Sequence, residues 1–103
     1  MPQIEDIPRR VDAGQPDAAL ATCAGVVLGL YRLRRDDSEG CLGWAPDAPA
    51  EMAGEAVSTL RKALHKLGVT RIAGQSVEAL PSVLHDAAPE WNDRLERCWR
   101  KPA

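Results

Sequence analysis

The sequence predicts a small all-α protein, a compact bundle of about four short helices, and three observations carry this prediction. Apolar residues recur every three or four positions through residues 49–67, as they do along one face of a helix. Alanine, the strongest helix former, is abundant, whereas phenylalanine is absent and tyrosine occurs once, so a sheet core is disfavoured. The length of 103 residues is that of one domain.

The numbers of acidic and basic residues are nearly equal, so the protein as a whole produces no strong electrostatic field. Thirteen basic and fifteen acidic side chains leave a formal net charge of −2 at pH 7. Such a chain is not drawn as a whole to nucleic acid or anionic lipid, so any polyanion site has to be a local patch. The excess of alanine, glycine, proline and arginine over residues with AT-rich codons is typical of a high-GC bacterial or phage gene.

The cysteines predict neither a disulfide framework nor a metal site. Cys23, Cys41 and Cys98 are an odd, sparse set, and no two of them are separated by a C-x-x-C step. His65 and His85 have no neighbours with ligand-like spacing. We therefore expect reduced thiols, no metal and no cofactor, as in a cytoplasmic protein.

One stretch of the chain is apolar enough to require comparison with a membrane span. Residues 18–31 carry no charge, but a span needs ~20 residues and this stretch has 14. No small-residue cleavage site follows it, so a secretory signal is also disfavoured. We predict a buried helix here and a protein that does not enter a membrane.

Residues 1–16 are predicted to be a flexible N-terminal arm. Three prolines occur in it, and each disfavours helical geometry at the residue that precedes it. Ile4, Ile7 and Val11 nevertheless fall at helical spacing, so a short helix docked on the body is the alternative, with a frayed terminus favoured. The remaining residues, 17–103, are predicted to form a single small helical domain.

The first helix of that domain is predicted from about Ala18 to Arg35, with Asp17 as its N-cap. Its broad apolar face is typical of the central helix of a bundle. The alternative is a β-hairpin near residues 26–45 closed by a polar turn, which would make the fold α+β. The alanine-rich residues 18–24 favour the helix.

Three further helices are predicted. One spans about 49–67 and ends at Gly68, a residue type that commonly terminates helices. The next begins at Ser76, and Pro81, which lies beyond its first turn, predicts a kink or a late start. The last spans about 89–101 and begins with a proline, which the first turn of a helix tolerates.

Tryptophan is the residue type that most suggests binding. Trp44 lies between Gly43 and Pro46, which predicts an exposed loop, and exposed tryptophan and arginine are frequent anchors of protein interfaces. Trp91 and Trp99 lie two turns apart on one helix face. Filling of the core is the favoured interpretation for that pair, and partner binding is the alternative.

The first predicted helix carries two more candidate binding features. Arg32, Arg34 and Arg35 form a basic run in its last turn, although acidic residues follow at once. Gly25 and Gly29 continue a stripe of small residues, which allows another helix to approach closely. Tight packing inside the monomer is favoured for this stripe, and a dimer seam is the alternative.

The last predicted helix carries three acid-to-base pairs at i,i+4 spacing, which predict a self-paired, solvated face. The pairs are Glu90 with Arg94, Asp93 with Arg97, and Glu96 with Arg100.

No motif in the chain predicts catalysis. There is no glycine-rich phosphate loop, no H-E-x-x-H and no G-x-S-x-G. Cys41 lies in a glycine-flanked loop, but no histidine in its neighbourhood could act as its base.

We therefore expect a small non-catalytic accessory, adaptor or inhibitor protein that acts by binding another protein, with a homodimer as a further option. A nucleic-acid-binding regulator with a helix-turn-helix in residues 51–88 is the alternative. Nucleic acid is disfavoured because the net charge is negative and residues 77–88 carry no Lys or Arg. An enzyme whose site is assembled from distant residues is the second alternative.

Overall fold

The computed structural model describes residues 3–37, 43, 45 and 47–100, and within these it has an all-α fold. The prediction of an all-α bundle is confirmed, with five α-helices in place of about four and one minimal β-hairpin between the third and fourth. The helices are α1 (Asp6–Asp12), α2 (Pro16–Asp36), α3 (Ala48–Lys66), α4 (Leu80–Ala87) and α5 (Asn92–Arg100). The hairpin pairs β1 (Arg71–Ile72) with β2 (Gln75–Ser76) in antiparallel register.

Helix α2 runs without interruption to Asp36, so the alternative of a strand beginning near residue 26 is wrong. Most of the second half of that hairpin falls outside the described residues. Pro16 occupies the first turn, which places Asp17 inside the helix rather than at its cap. The Asp17 carboxylate instead accepts a hydrogen bond of 2.6 Å from the backbone N–H of Ala73 and so ties the start of α2 to the β-hairpin.

The N-terminal segment differs from the flexible arm that its prolines predict. Residues 6–12 form α1, in which Ile7 is 0% and Val11 2% exposed, and both side chains belong to the core. Pro8 is compatible with this helix because it lies in the first turn, where a missing N–H costs no helical hydrogen bond. The docked helix that the spacing of the apolar residues allowed is therefore the observed arrangement. That residues 17–103 fold as a unit by themselves stays a prediction.

The core lies between α2 and α3, which pack against each other along their lengths. Helix α1 packs against both, α4 against α2, and α5 against α3. The predicted helix over 49–67 is confirmed by α3, and Gly68 follows it with a positive φ of 65°. The largest fully buried side chains are those of Ile7, Val11, Cys23, Val27, Val57, Leu60, Leu64, Leu80, Leu84 and Leu95.

The segment after the hairpin shows the effect of Pro81. A single 3₁₀ turn, Val77–Ala79, precedes α4, and the Ser76 hydroxyl caps it by accepting a hydrogen bond of 3.3 Å from the N–H of Glu78. Helix α4 then begins so that Pro81 lies in its first turn, which confirms the predicted late start. A second 3₁₀ turn, Pro89–Trp91, leads into α5.

Asn92 locks the junction between α4 and α5. Its side-chain amide nitrogen faces three carbonyl oxygens at the end of α4 and in the turn that follows it. They are those of His85 at 3.0 Å, Ala88 at 3.2 Å and Pro89 at 3.3 Å. Each of these carbonyls also accepts a backbone N–H, from Ala88, Trp91 and Asn92 respectively. The Asn92 amide therefore adds a second donor to carbonyls that already fix the turn between α4 and α5.

Candidate functional site

A cleft of about 240 Å³ forms where the end of α2, the start of α3 and the start of α5 meet. It brings together two of the residues that the sequence singled out, Arg34 and Trp91, from opposite ends of the chain. Acidic and basic side chains line it in nearly equal number around an aromatic centre. The lining residues are Arg34, Asp47, Ala50, Glu90, Trp91, Asp93, Arg94 and Arg97.

Trp91, the aromatic residue of the lining, forms an edge-to-face pair with Tyr31 of α2, which does not itself line the cleft. Their ring centroids are 5.5 Å apart, the ring planes meet at 87°, and both side chains are half-buried. Such a pair contributes ~0.5–1.5 kcal/mol beyond the burial of its surface. Because Trp91 lies in the turn before α5, this contact fixes that turn against the C-terminal half of α2.

Glu90 adds a charged group beside the aromatic pair, close enough to the Tyr31 hydroxyl to act on its ionisation. Desolvation raises the pKa of Tyr31 above its ordinary value, and the charge and hydrogen bond of Glu90 raise this pKa further. The positive charge of Arg35 opposes this change. Tyr31 is thus a neutral hydrogen-bond donor at the rim of the cleft.

The predicted basic run lies on the surface beside this cleft. Arg32, Arg34 and Arg35 are all exposed. Arg35 forms a salt bridge of 3.2 Å with Asp36, and because both side chains are more than half exposed, this pair contributes little to stability. Arg32 forms no hydrogen bond or ion pair with any residue that the structure describes.

The prediction of three self-paired arginines on the last helix is wrong for two of them. Glu96 and Arg100 do form a salt bridge, of 2.6 Å. Arg97 donates instead to the backbone carbonyl of Asp93, at 3.3 Å. Arg94, half-buried in the cleft, has neither an ion pair nor a hydrogen bond among the described residues. Glu90 lies in the 3₁₀ turn before α5, so the two residues do not have the i,i+4 geometry of one α-helix.

The other candidate residues are dispersed over the molecule. Trp99 is 6% exposed and fills the core at the end of α5, so it offers little surface to a partner. Gly25 and Gly29 are half-buried on α2, and Ala21 of the same stripe is exposed, so the stripe lies towards the outer side of the helix. Tight packing inside the monomer and a dimer seam both stay predictions. Trp44 lies outside the described residues, so its role stays a prediction.

The close helix approach expected of small residues occurs elsewhere, between α3 and α5. A Cβ atom added at Gly54 would lie 2.8 Å from the Sγ atom of Cys98, closer than real Cβ atoms come. Gly54 belongs to the α3 face that also carries Ala50 and Ala53. The three-and-four periodicity of this helix identifies the face, but not which of its small residues touches another helix.

The sequence did not single out Tyr31, Asp47 or Arg94 for the cleft. Tyr31 was one member of an apolar stripe, and the i,i+4 spacing placed Arg94 opposite Glu90. A signal for Tyr31 was available, because it is the chain's one tyrosine and stands next to the basic run. Nothing local could show that the turn containing Glu90 and Trp91 would pack against that tyrosine.

The described residues hold no group of three or more His, Cys, Asp or Glu side chains that could bind a metal ion. Of the five helices, none combines the length and the apolar character needed to cross a membrane. Cys41 falls outside the described part of the chain, so its exposure stays a prediction. No protein-family model, no curated protein and no solved structure matches this chain.

Proposed function

We propose that this protein is a small non-catalytic accessory, adaptor or inhibitor protein that acts by binding another protein at the cleft between α2 and α5. The observation that carries this proposal is the half-exposed Tyr31–Trp91 pair surrounded by charged side chains. Protein interfaces are enriched in tyrosine, tryptophan and arginine at their centres and are polar at their rims. The cleft has this composition.

Arg94 is the proposed anchor of the partner. Its guanidinium carries up to five N–H donors, is half-buried, and has no acceptor among the described residues. A carboxylate on a partner could accept two of these donors at once, in the bidentate geometry that makes arginine effective at interfaces. The matching element on the partner is therefore an acidic side chain next to an apolar group that packs on Trp91.

The acidic residues of the cleft limit which partners fit. Asp47 and Asp93 lie in the same lining as the arginines, so a uniformly acidic partner would be repelled at part of the surface. A partner with both signs of charge fits best, which favours a folded protein surface over a polyanion. We place this binding in the cytoplasm, where the reduced state expected for the cysteines would be maintained.

The experiment compares capture by the wild type and by two charge-reversal variants. Tagged protein is incubated with extract of the native host, and bound proteins are identified and then titrated in purified form by calorimetry. Arg94→Glu should weaken the affinity of the captured partner by about 100-fold, as expected when a charge-assisted hydrogen bond becomes a repulsion. Arg10→Glu, at an exposed position on α1, is the matched control and should leave the affinity unchanged.

Melting curves of both variants exclude a loss of folding as the cause of weaker binding. A partner that binds wild type and both variants with equal affinity would show that the cleft is not the interface. Equal weakening by both variants would show general charge attraction and not a specific site.

A further inference from the structure

A second cleft, of about 310 Å³, lies between the C-terminal half of α3, the β-hairpin and the end of α5. No lining residue is shared with the first cleft. Ala50 near the start of α3 lines the first cleft, whereas Arg61 and His65 near its end line the second. The lining residues are Arg61, His65, Val69, Thr70, Ser76, Val77, Glu78 and Trp99.

The guanidinium of Arg61 has N–H donors in this cleft that no described residue accepts. Its side chain is half-buried, and it forms no hydrogen bond or ion pair with any residue in the described part of the chain. Glu78 lines the same cleft without forming an ion pair with it. A partly desolvated guanidinium without an acceptor is costly, and an anionic ligand would supply that acceptor.

The surroundings of Arg61 are positively charged although the whole chain is not. Residues 56–77 contain four Lys and Arg residues and no Asp or Glu, in a protein of net charge −2. Lys62, Lys66 and Arg71 are exposed around the cleft residues, and Glu78 is the one acidic residue in the lining. A local concentration of one charge sign raises the local concentration of ions of the opposite sign.

The hairpin side of the cleft adds neutral polar groups on a fixed backbone. Thr70 and Ser76 bring hydroxyl groups to the lining. The N–H of Val77 donates to the carbonyl of Thr70 at 2.9 Å, which fixes the two hydroxyl-bearing residues across the hairpin. Hydroxyl groups beside an unpaired guanidinium form a set of donors that suits an oxyanion with several oxygen atoms.

The rest of the lining is apolar. Val69 and Val77 are half-buried, and the Trp99 side chain lies beside them with 6% of its surface exposed. This wall carries no charge, so the part of a ligand that covers it is apolar. The volume is at the lower end of the ~300–1,000 Å³ of ligand pockets, which suits a small molecule and not a folded domain.

We propose that this cleft binds a small phosphate monoester that carries an apolar group, with the phosphate on Arg61 and the two hydroxyls and the apolar group against Val69 and Val77. A phosphate monoester carries about −1.5 to −2 charges at pH 7 and three acceptor oxygens, which matches this set of donors and the surrounding cations. The proposal concerns a different surface from the protein-binding cleft and does not depend on it.

The test is calorimetric titration of the full-length protein with phenyl phosphate in buffer of low ionic strength. We expect saturable binding of one molecule at low millimolar concentration, as a ligand of this size allows. Phenol and inorganic phosphate should each bind at least about tenfold more weakly, because each lacks one half of the recognised chemistry. Benzoate, a monoanion with two oxygens, should also bind more weakly than phenyl phosphate.

Three variants locate the binding. Arg61→Gln should weaken phenyl phosphate binding by about tenfold or more, the size of a lost charge-assisted hydrogen bond. Glu78→Gln should strengthen it several-fold, because it removes the acidic residue from the lining. Arg10→Gln, distant in sequence and exposed, should leave it unchanged, and a melting curve for each variant verifies folding.

Absence of saturable binding by the wild type, or an unchanged affinity in folded Arg61→Gln, would overturn the proposal. Benzoate binding as tightly as phenyl phosphate would overturn the assignment to phosphate. An oligonucleotide that binds far more tightly, and loses affinity equally in Arg61→Gln, Lys62→Gln and Lys66→Gln, would assign the surface to nucleic acid instead.

Discussion

Cys23 shows how completely a residue's chemistry depends on where the fold places it. Its side chain is fully buried in the core, and this burial raises the pKa of the thiol from 9.0 to about 12. The thiolate is the reactive form of cysteine, so Cys23 is inert in the native protein at neutral pH. Cys98, which is half-buried against α3, has no such protection.

The raised pKa of Cys23 predicts a loss of stability at alkaline pH. The folded state holds this proton more tightly than the unfolded chain does. The resulting contribution to stability is complete below about pH 9 and is lost as the pH rises from about 9 towards 12, because the unfolded chain ionises first. Denaturant titrations at pH 8 and pH 10.5 should show a larger loss for wild type than for Cys23→Ala. Equal losses would mean that the thiol is hydrated in the folded state.

We expect substitution of Trp44 to affect partner binding and substitution of Trp99 to affect the stability of the fold. Trp99 lies in the core, so Trp99→Ala should cost ~3–5 kcal/mol of stability. Trp44→Ala should leave the melting temperature nearly unchanged and weaken partner binding by ~2 kcal/mol or more, as at an interface anchor. Thermal melting and partner affinity measured on the same samples decide this. A large fall in melting temperature for Trp44→Ala, with unchanged affinity, would make Trp44 a core residue.

At the scale of the elements, the approach of α3 to α5 depends on the absence of a side chain at Gly54. Alanine there would gain ~1 kcal/mol of helix propensity but would place its Cβ 2.8 Å from the Cys98 Sγ atom. We expect Gly54→Ala to stabilise the protein in a Cys98→Ala background and to destabilise it, or to stabilise it less, in the wild type. Urea unfolding of the four proteins in this double-mutant cycle measures the coupling. A coupling near zero would show that the Cys98 side chain rotates away without cost.

Helix α1 is expected to be part of the cooperative fold. Ile7 is 0% exposed, so Ile7→Ala should destabilise the whole protein by ~2–5 kcal/mol, as in other cores. Arg9→Ala, at a side chain that is 77% exposed, is the control and should change stability by less than ~0.5 kcal/mol. Unfolding is followed by the fluorescence of the tryptophans, which lie outside α1. Unchanged stability in Ile7→Ala would mean that residues 17–103 fold without the N-terminal segment.

At the scale of the whole molecule, the outer side of α2 is the surface that bears on the oligomeric state. The uncharged stretch that contains Gly25 and Gly29 is 14 residues long, about 21 Å of helix. A helix face of that length buries less than the ~1,200 Å² of stable dimers, so we expect a monomer at micromolar concentration. Sedimentation velocity over a range of concentrations measures this. A dimer that Gly25→Leu abolishes would instead establish the small-residue stripe as a homodimer seam.

The distribution of charged residues over the surface also determines which ligands and partners each cleft can attract. The near-zero net charge concealed the acid-free segment 56–77, because the acidic residues lie elsewhere in the chain. The fold then places part of this segment around one cleft, while the other cleft carries mixed charge. A small protein of balanced composition can thus present two electrically different surfaces.

The sequence by itself determined the features that arise within one element. The periodicity of α3 predicted its position to within about one residue at each end, because the apolar residues of an amphipathic helix recur in every turn of its own sequence. Pro81 predicted the late start of α4, because proline acts on the backbone next to it. The helical state of residues 26–36 was harder to predict, since a buried apolar run has no clear period.

The tertiary structure alone decided the features that join distant parts of the chain. The prolines of residues 1–16 predicted a flexible arm. The structure instead has a helix there, because α2 and α3 together form the surface on which Ile7 is buried. The local spacing paired Glu90 with Arg94, but Glu90 lies in a 3₁₀ turn that the contact between Tyr31 and Trp91 joins to α2, and Arg94 has no ion pair among the described residues. Local rules fix the helices because their hydrogen bonds are local. The clefts depend on residues that are far apart in the chain, such as Tyr31 and Trp91 beside the first and Arg61 and Trp99 in the second, which no local pattern encodes.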